Sequence, residues 1–275
     1  LNYHKNMKSY FNSKMYLFKN LLKKNSKIIT DEDNQEFKLI KKIKNRKKIT
    51  IGSNSGDIVI LSNKYKQKKQ ITKILFNSKI FTLEIPLIGF FQVKNLLLAI
   101  LIALNSGLKK EKIFKQISKI KPVPGRLECV ATLNNNTNII VDFAHTPDAL
   151  KQSLIALKNQ FKKNITIVFG CGGERDKKKR SIMGKIASEY CEKIFVTDDN
   201  PRNENPKKIR NEIIKGCKKT TINIGNRKKA IEKAIREIGS NEILLIAGKG
   251  HEATQDYGNK VINFSDKRVI TRIVN

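Results

Sequence analysis

From residue 137 onward, short runs of apolar residues alternate with longer segments in which apolar residues recur every three or four positions. TNIIVDF (137–143) is a β-branched and aromatic run of strand length. In the following TPDALKQSLIALKNQF, Leu150, Leu154, Leu157 and Phe161 fall on one helical face. Thr146 stands where a hydroxyl would cap that helix, and Pro147 takes its first position. The alternation repeats. NITIVFG (164–170) predicts a strand, and Ile182, Met183, Ile186 and Tyr190 mark the apolar side of a helix. KIFVT is followed by Ile209, Ile213 and Ile214, and TTINIG by Ile231, Ala234, Ile235 and Ile238. EILLIAG (242–248) closes the series. Strands alternating with helices at this spacing predict an α/β fold with a doubly wound, mostly parallel, Rossmann-like sheet.

The first 120 residues are less regular. A helical pattern runs over residues 6–22 (Tyr10, Phe11, Met15, Phe18, Leu22), and short strands such as ITIGS and DIVILS follow around a turn. Two helices are predicted near 93–106 and 109–120. KPVPGR (121–126), with two prolines and a glycine, reads as a linker. The chain is therefore expected to hold two domains, residues 1–124 and 125–275, the first being the later part of an incomplete α/β domain. It starts at Leu1, not Met, and is expected to be an internal piece of a longer protein.

Composition changes this picture only in part. Hydrophobic and charged contents of 39% and 29% suit a soluble globular chain, and the apolar run from Asn95 to Leu104 is too short to cross a bilayer. No basic-then-apolar leader opens the chain. The four cysteines (Cys129, Cys171, Cys191, Cys217) show no C-x-x-C spacing, which fits a reducing compartment and a cytoplasmic location. A net charge of +32 would ordinarily suggest an anionic partner. Yet only 10 of the 56 basic residues are Arg, and there are 28 Asn; Lys, Asn and Ile share A/T-rich codons. Residues 1–124 carry 27 basic and 7 acidic residues against 29 and 17 in residues 125–275, so the excess lies outside the region of regular alternation. A dispersed, solvated surface charge is expected, with neither nucleic acid nor membrane as partner.

Four polar loops each follow a predicted strand: DFAHTPD, GCGGERDKKKR, DDNPRNENP and AGKGHE. In open α/β sheets ligands bind outside the carboxyl ends of the strands. In the second loop, glycines would let backbone approach a ligand, and Arg175 and Asp176 form a charged pair in need of a partner. Arg202 can hold a carboxylate through two parallel hydrogen bonds while Asp199 accepts an ammonium, a pairing suited to a zwitterion. Glu252 adds an acceptor, and His251 could handle a proton or position a group. Asp142 suits a ribose hydroxyl; His145 could orient phosphate or merely cap its turn.

VDFAHTPDAL, GCGGERDKKKR, TDDNPRNENP and AGKGHE, in that order, resemble the C-terminal domain of the Mur ligases. PGRLE (Pro124–Glu128) is similar to that family's interdomain segment, and LNYHKNMKSYFNSKMYLF and LIGFFQVKNLLLAI to parts of its central ATP-binding domain. The resemblance covers nearly the whole chain and is to members that add 2,6-diaminopimelate. It implies ATP- and Mg²⁺-dependent amide ligation joining meso-diaminopimelate to UDP-N-acetylmuramoyl-L-Ala-D-Glu through an acyl phosphate, by a monomeric enzyme of peptidoglycan precursor synthesis. It assigns Arg175, Asp199, Asn200, Arg202, Gly248 and Glu252 to diaminopimelate, and Arg126, Asp142, His145 and Asn95 to the nucleotide. His251 and Lys14 are implied to be catalytic, Lys14 as a carbamylated residue supporting Mg²⁺. Thr30 stands where the family usually has an adenine-contacting Asn, and Phe143 where Tyr is common. The family's G-T-x-G-K-[ST] phosphate loop, its N-terminal substrate domain and the central-domain Glu and His for Mg²⁺ have no counterpart here. The chain by itself is therefore expected to be inactive. The alternative expectation is a stand-alone, non-catalytic amino-acid or nucleotide-binding module.

Overall fold

The computed structural model describes residues 6–275, and the chain divides into two compact units, Leu1–Lys121 and Pro122–Asn275. Residues 1–5, where the stretch LNYHKNMKSYFNSKMYLF begins, lie outside the described residues.

In the first unit, helix α1 (Met7–Tyr16) is capped by the Asn6 side chain and continues through Leu17–Leu21 in a wider, π-type turn. Strand β1 (Lys27–Asp31), short helix α2 (Phe37–Lys41) and strands β2 (Lys47–Gly52), β3 (Ile58–Lys66), β4 (Lys69–Phe76) and β5 (Lys79–Ile85) follow. The sheet runs β1-β2-β3-β4-β5; β1 to β3 are parallel, and β3 to β5 form an antiparallel meander. Helix α3 (Phe90–Asn105) packs Val93, Leu97, Ile100 and Leu101 onto Ile49, Ile51, Ile58 and Ile74. Helix α4 (Lys110–Gln116) then leads to the second unit.

That unit contains strands β6 (Glu128–Thr132) and β7 (Asn138–Asp142), helix α5 (Pro147–Phe161), β8 (Ile165–Phe169), α6 (Lys178–Tyr190), β9 (Lys193–Val196), α7 (Pro206–Ile214), β10 (Thr221–Asn223), α8 (Arg227–Glu237), β11 (Ile243–Ala247), a hairpin of β12 (Thr254–Asp256) and β13 (Val261–Asn263), and α9 (Asp266–Val274). The main sheet has the order β10-β9-β8-β11-β7-β6. Its first five strands are parallel and β6 runs antiparallel at the edge. The chain steps outward from β7 through β8 and β9 to β10, then returns to insert β11 between β7 and β8. Right-handed crossovers require the outward and returning helices to lie on opposite faces. Accordingly α5, α6 and α7 pack side by side, while α8 and α9 pack together with the apolar side chains of the other face. The doubly wound α/β expectation therefore holds.

Details differ from the sequence pattern. The series does not end at β11 but continues through the hairpin and α9. In α6 the inward side chains are Met183, Ile186 and Ala187, whereas Ile182 is 47% exposed. The α8 N-terminus is capped by Asn226, whose side chain accepts from Lys229 N at 3.0 Å. Asn226→Ala is expected to lower stability by about 1 kcal/mol, read as a shifted urea midpoint with an unchanged slope. An unmoved midpoint would show that the cap contributes nothing.

Candidate functional site

The four polar loops leave the carboxyl ends of β7, β8, β9 and β11, which lie next to one another in the order β9-β8-β11-β7. The loops after β8 and β9 are packed directly on each other. Gly173 N donates to Asn200 O at 2.9 Å, and a Cβ on Gly173 would fall inside the carbonyl oxygen of Pro201. Gly170 meets the Thr197 carbonyl in the same way. Gly170 and Gly173 are thus required for the close approach of the β9 loop. Arg180, fully buried in the first turn of α6, fixes the arrangement by donating to Glu204 at 3.0 Å, to Glu212 at 2.7 Å and to Gly172 O at 3.3 Å. Glu204 in turn accepts from Glu174 N, and its hydrogen bonds from Arg180 above all hold its carboxyl below the usual range.

The two adjacent aspartates of the β9 loop part company. Asp198 is taken up by Arg210 and by the Tyr257 hydroxyl; burial still pushes its carboxyl above the usual value, and the Tyr257 phenol is pushed up to about 12. Asp198 is thus part of the scaffold and not of a zwitterion clamp. Asp199 is also buried, but among the described residues only its Oδ1 is engaged, by the backbone N–H of Asn200 at 2.8 Å. A Cβ on Gly248 (φ +112°) would sit 2.7 Å from Asp199 Oδ2, so glycine is needed there for both backbone angle and space. Asn200 donates to Glu252 Oε2 at 3.0 Å. Burial alone would raise the Glu252 carboxyl, but hydrogen bonds from Lys249 and Asn200 hold it below the usual range.

Arg202 occupies left-handed backbone (φ +53°), an unusual conformation for a non-glycine residue at a loop of this kind. Its N–H donates to Asp256 O at 3.0 Å, its Nη1 donates to Gly173 O at 2.9 Å, and its Nε lies 3.7 Å from Asp256 Oδ2. Buried Gln255 donates to the carbonyls of Asp198 and Asp199 at 3.2 and 2.7 Å. Strand β12 therefore braces the loop that carries Asp199, Asn200 and Arg202. Arg175 is exposed on the facing loop, with Nη1 on its own neighbour's carbonyl, Glu174 O, at 3.2 Å. The structure brings Asp199, Asn200, Gly248 and Glu252 into one cluster with Arg202 at its side.

A second group surrounds the Phe143 ring. The Arg126 guanidinium lies 4.4 Å from its centroid, His145 packs edge-on at 4.7 Å, and His251 lies tilted at 5.5 Å. Arg126, His145 and His251 are all exposed. His145 Nδ1 is 2.9 Å from the Phe143 carbonyl oxygen. Asp142 is buried, accepting from Leu127 N at 3.1 Å and from the Ser153 hydroxyl, so its oxygens serve to tie the start of β6 and α5 to the end of β7.

In the first unit, Asn95 is exposed on α3 and donates to Gln92 at 3.2 Å. Lys14 is exposed on α1, with its ammonium 5.0 Å from the Tyr10 ring in a groove of about 450 Å³. Lys94 bridges Asp31 at 2.9 Å and Asp33 at 2.7 Å, an ion-pair cluster not singled out from the sequence. No group of three His, Cys, Asp or Glu residues arranged to hold a metal occurs among the described residues. The sequence also passed over Lys249, Gln255, Asp256, Arg180 and Glu204. Lys249 lies inside the AGKGHE loop, where a lysine between two glycines at the end of a buried strand is the one available signal.

Known proteins resemble this chain over nearly its whole length. The family described as Mur ligase middle domain matches residues 1–103, and that described as Mur ligase, glutamate ligase domain, matches residues 125–250. A protein of Rickettsia montanensis named UDP-N-acetylmuramoyl-L-alanyl-D-glutamate–2,6-diaminopimelate ligase is 41% identical over 280 residues, covering 100% of this chain and 57% of the relative. A Buchnera aphidicola protein of the same name is 37% identical over 294 residues, again with 100% and 57% coverage. The chain thus spans little more than half the length of the curated relatives it matches. A solved structure of a ligase of that name aligns with a TM-score of 0.64 at 30% identity, over 99% of this chain and 57% of the other. The MurF ligase of Thermotoga maritima in complex with ADP aligns with a TM-score of 0.72 over 99% and 58%; at 16% identity it speaks for the fold alone.

Proposed function

Since this chain belongs to the Mur ligase family, we propose that it is the later part of the central domain (residues 1–124) and the C-terminal domain (residues 125–275) of a ligase that adds meso-2,6-diaminopimelate to UDP-N-acetylmuramoyl-L-Ala-D-Glu. The observation that carries the reading is the gathering of Asp199, Glu252 and Arg202 around Asn200, which bonds Asp199 Oδ1 through its N–H and Glu252 Oε2 through its amide while its carbonyl accepts from Arg202 Nη1 at 3.4 Å. Diaminopimelate bears an amino-acid head at each end, and one head must be held while the other reacts. The Arg202 guanidinium suits the held carboxylate, and Asp199 and Glu252 suit its ammonium. Asn200 spans the two acceptors and Gly248 leaves room beside Asp199. Arg175, exposed on the facing loop, would add a second donor to the carboxylate.

In the reaction proposed, the D-glutamyl carboxylate accepts the γ-phosphoryl group of ATP, the free amine of diaminopimelate attacks the acyl carbon, and inorganic phosphate leaves as the amide forms. The part of this chain is positioning, which can account for a large share of a ligation barrier. The exposed Arg126, His145 and His251 around Phe143 form a cationic and aromatic donor set that fits an anionic nucleotide. Mg²⁺ would neutralise phosphate charge, but the described residues include no group of three His, Cys, Asp or Glu arranged to hold a metal, so no step is assigned to it. The reading includes a monomeric enzyme acting in the cytoplasm; no helix among the described residues is long and apolar enough to cross a membrane.

Amino-acid-dependent phosphate release by the complete ligase tests this. Saturable release with meso-diaminopimelate is expected, with kcat/KM for L-lysine at least about 100-fold lower, because lysine leaves buried polar groups unpaired. Equal use of the two amino acids would contradict the proposal.

A further inference from the structure

The Lys249 side chain is fully buried, although lysine is almost never buried without a partner. It stands between Gly248 (φ +112°) and Gly250 (φ +54°) at the end of β11, where left-handed backbone on both sides turns it beneath the cluster. Its ammonium donates to Asn200 Oδ1 at 2.9 Å and to Glu252 Oε2 at 2.9 Å. Asn200 Oδ1 also accepts from Asp256 N at 3.0 Å, which fixes the amide so that its Nδ2 must point at Glu252 Oε2. Both donors therefore converge on the same carboxylate oxygen. Glu252 Oε1 carries no such hydrogen bond among the described residues.

Resting on the function proposed above, we infer that Lys249 is a positioning residue: it locks Asn200 and Glu252 into one rigid unit and leaves Glu252 Oε1 as the oxygen presented to the substrate ammonium. Three consequences follow from charge and geometry. The buried ammonium offsets one carboxylate, so Asp199 supplies the remaining negative charge that makes the pocket selective for a cation. Burial alone would raise the Glu252 carboxyl, but it stays ionised because Lys249 and Asn200 donate to it, with Arg202 and Arg227 contributing at longer range. Arginine cannot take the place of Lys249, since a planar fork does not fit a point fully enclosed between two acceptors.

Two readouts on Lys249→Met and Lys249→Arg test this. In the 275-residue chain, ¹³C-labelled glutamate NMR should show Glu252 titrating below the usual carboxylate range, and moving up towards or past it in Lys249→Met. In the complete ligase, Lys249→Met should raise KM for meso-diaminopimelate about 10- to 100-fold, taking the loss seen when the outer partner of a metal-binding side chain is removed as the guide, with KM for ATP unmoved. Lys249→Arg should recover part of the Glu252 shift but little of the KM. An unchanged Glu252 titration in a folded Lys249→Met chain would overturn the inference, as would equal rises in both KM values. A wild-type ligase indifferent to diaminopimelate would sink the substrate reading by itself, and the titration would still decide whether Lys249 sets the Asn200–Glu252 pair.

Discussion

Replacing Arg227 by methionine is expected to lower folding stability by about 3–5 kcal/mol, the range for stranding one member of a buried ion pair. Arg227 opens α8 and Asp266 opens α9, and neither side chain is exposed. The guanidinium donates through Nε to Asp266 Oδ1 and through Nη2 to Asp266 Oδ2, both at 2.8 Å, and Nη2 also reaches Ala247 O at 3.0 Å. One residue thus ties two helix starts to the carboxyl end of β11, immediately before the loop carrying Gly248 and Lys249. Burial alone would weaken the charge on Arg227, but the Asp266 carboxylate more than restores it. Its Nη1 is buried with no partner among the described residues. The pair is therefore better at fixing geometry than at maximising stability. A joint change to Arg227→Met and Asp266→Leu should recover most of the loss, because no buried charge is then left alone. Urea unfolding gives the numbers. A single-variant loss below about 1 kcal/mol would mean that the pair is not buried in solution.

Arg202→Ala in the complete ligase is expected to weaken use of meso-diaminopimelate by about 2–4 kcal/mol, roughly 30- to 1,000-fold in kcat/KM. The loss should fall mainly on KM for the amino acid, since the held head is distant from the reacting amine and is bound alike in ground and transition states. KM for ATP should not change. Removing Arg202 also costs its contacts with Gly173 O and Asp256, so a modest loss of loop order is expected alongside. That effect is separable, because it would lower use of every amino acid equally, whereas loss of the clamp narrows the gap between diaminopimelate and lysine. Unchanged kinetics would remove Arg202 from the site.

The parts of the fold legible in the sequence are those buried on both faces. Strands β7, β8, β9 and β11 lie between two helical layers and consist of almost unbroken apolar runs, and the polar loops at their ends stand out against them. Strand β6 is half-exposed at the edge, and β12 and β13 are three residues each, so none has a run or a period to read. Helix α9 was legible in principle: Val269, Ile270, Ile273 and Val274 recur at helical spacing behind the Ser265 cap.

Within the site, loop membership could be read but individual partners could not. Asp198 and Asp199 are neighbours of the same type, and only the position of Arg210 and Tyr257, brought in by α7 and the hairpin, makes one a scaffold residue and leaves the other available. The glycines of the β8 loop answer to Thr197 and Pro201, nearly thirty residues away, a relation set by strand order and not by local pattern. Lys249 escaped notice because burial of a lysine runs against its ordinary behaviour.

The central claim is that the loops after β8, β9 and β11 hold the distal amino-acid head of diaminopimelate. A crystal structure of the complete ligase with meso-diaminopimelate bound tests it most directly. The account predicts one carboxylate on the Arg202 guanidinium, its neighbouring ammonium between Asp199 Oδ2 and Glu252 Oε1, and the Lys249 ammonium still on Asn200 and Glu252. Diaminopimelate bound with that head in solvent, or seated away from Arg202, would contradict it.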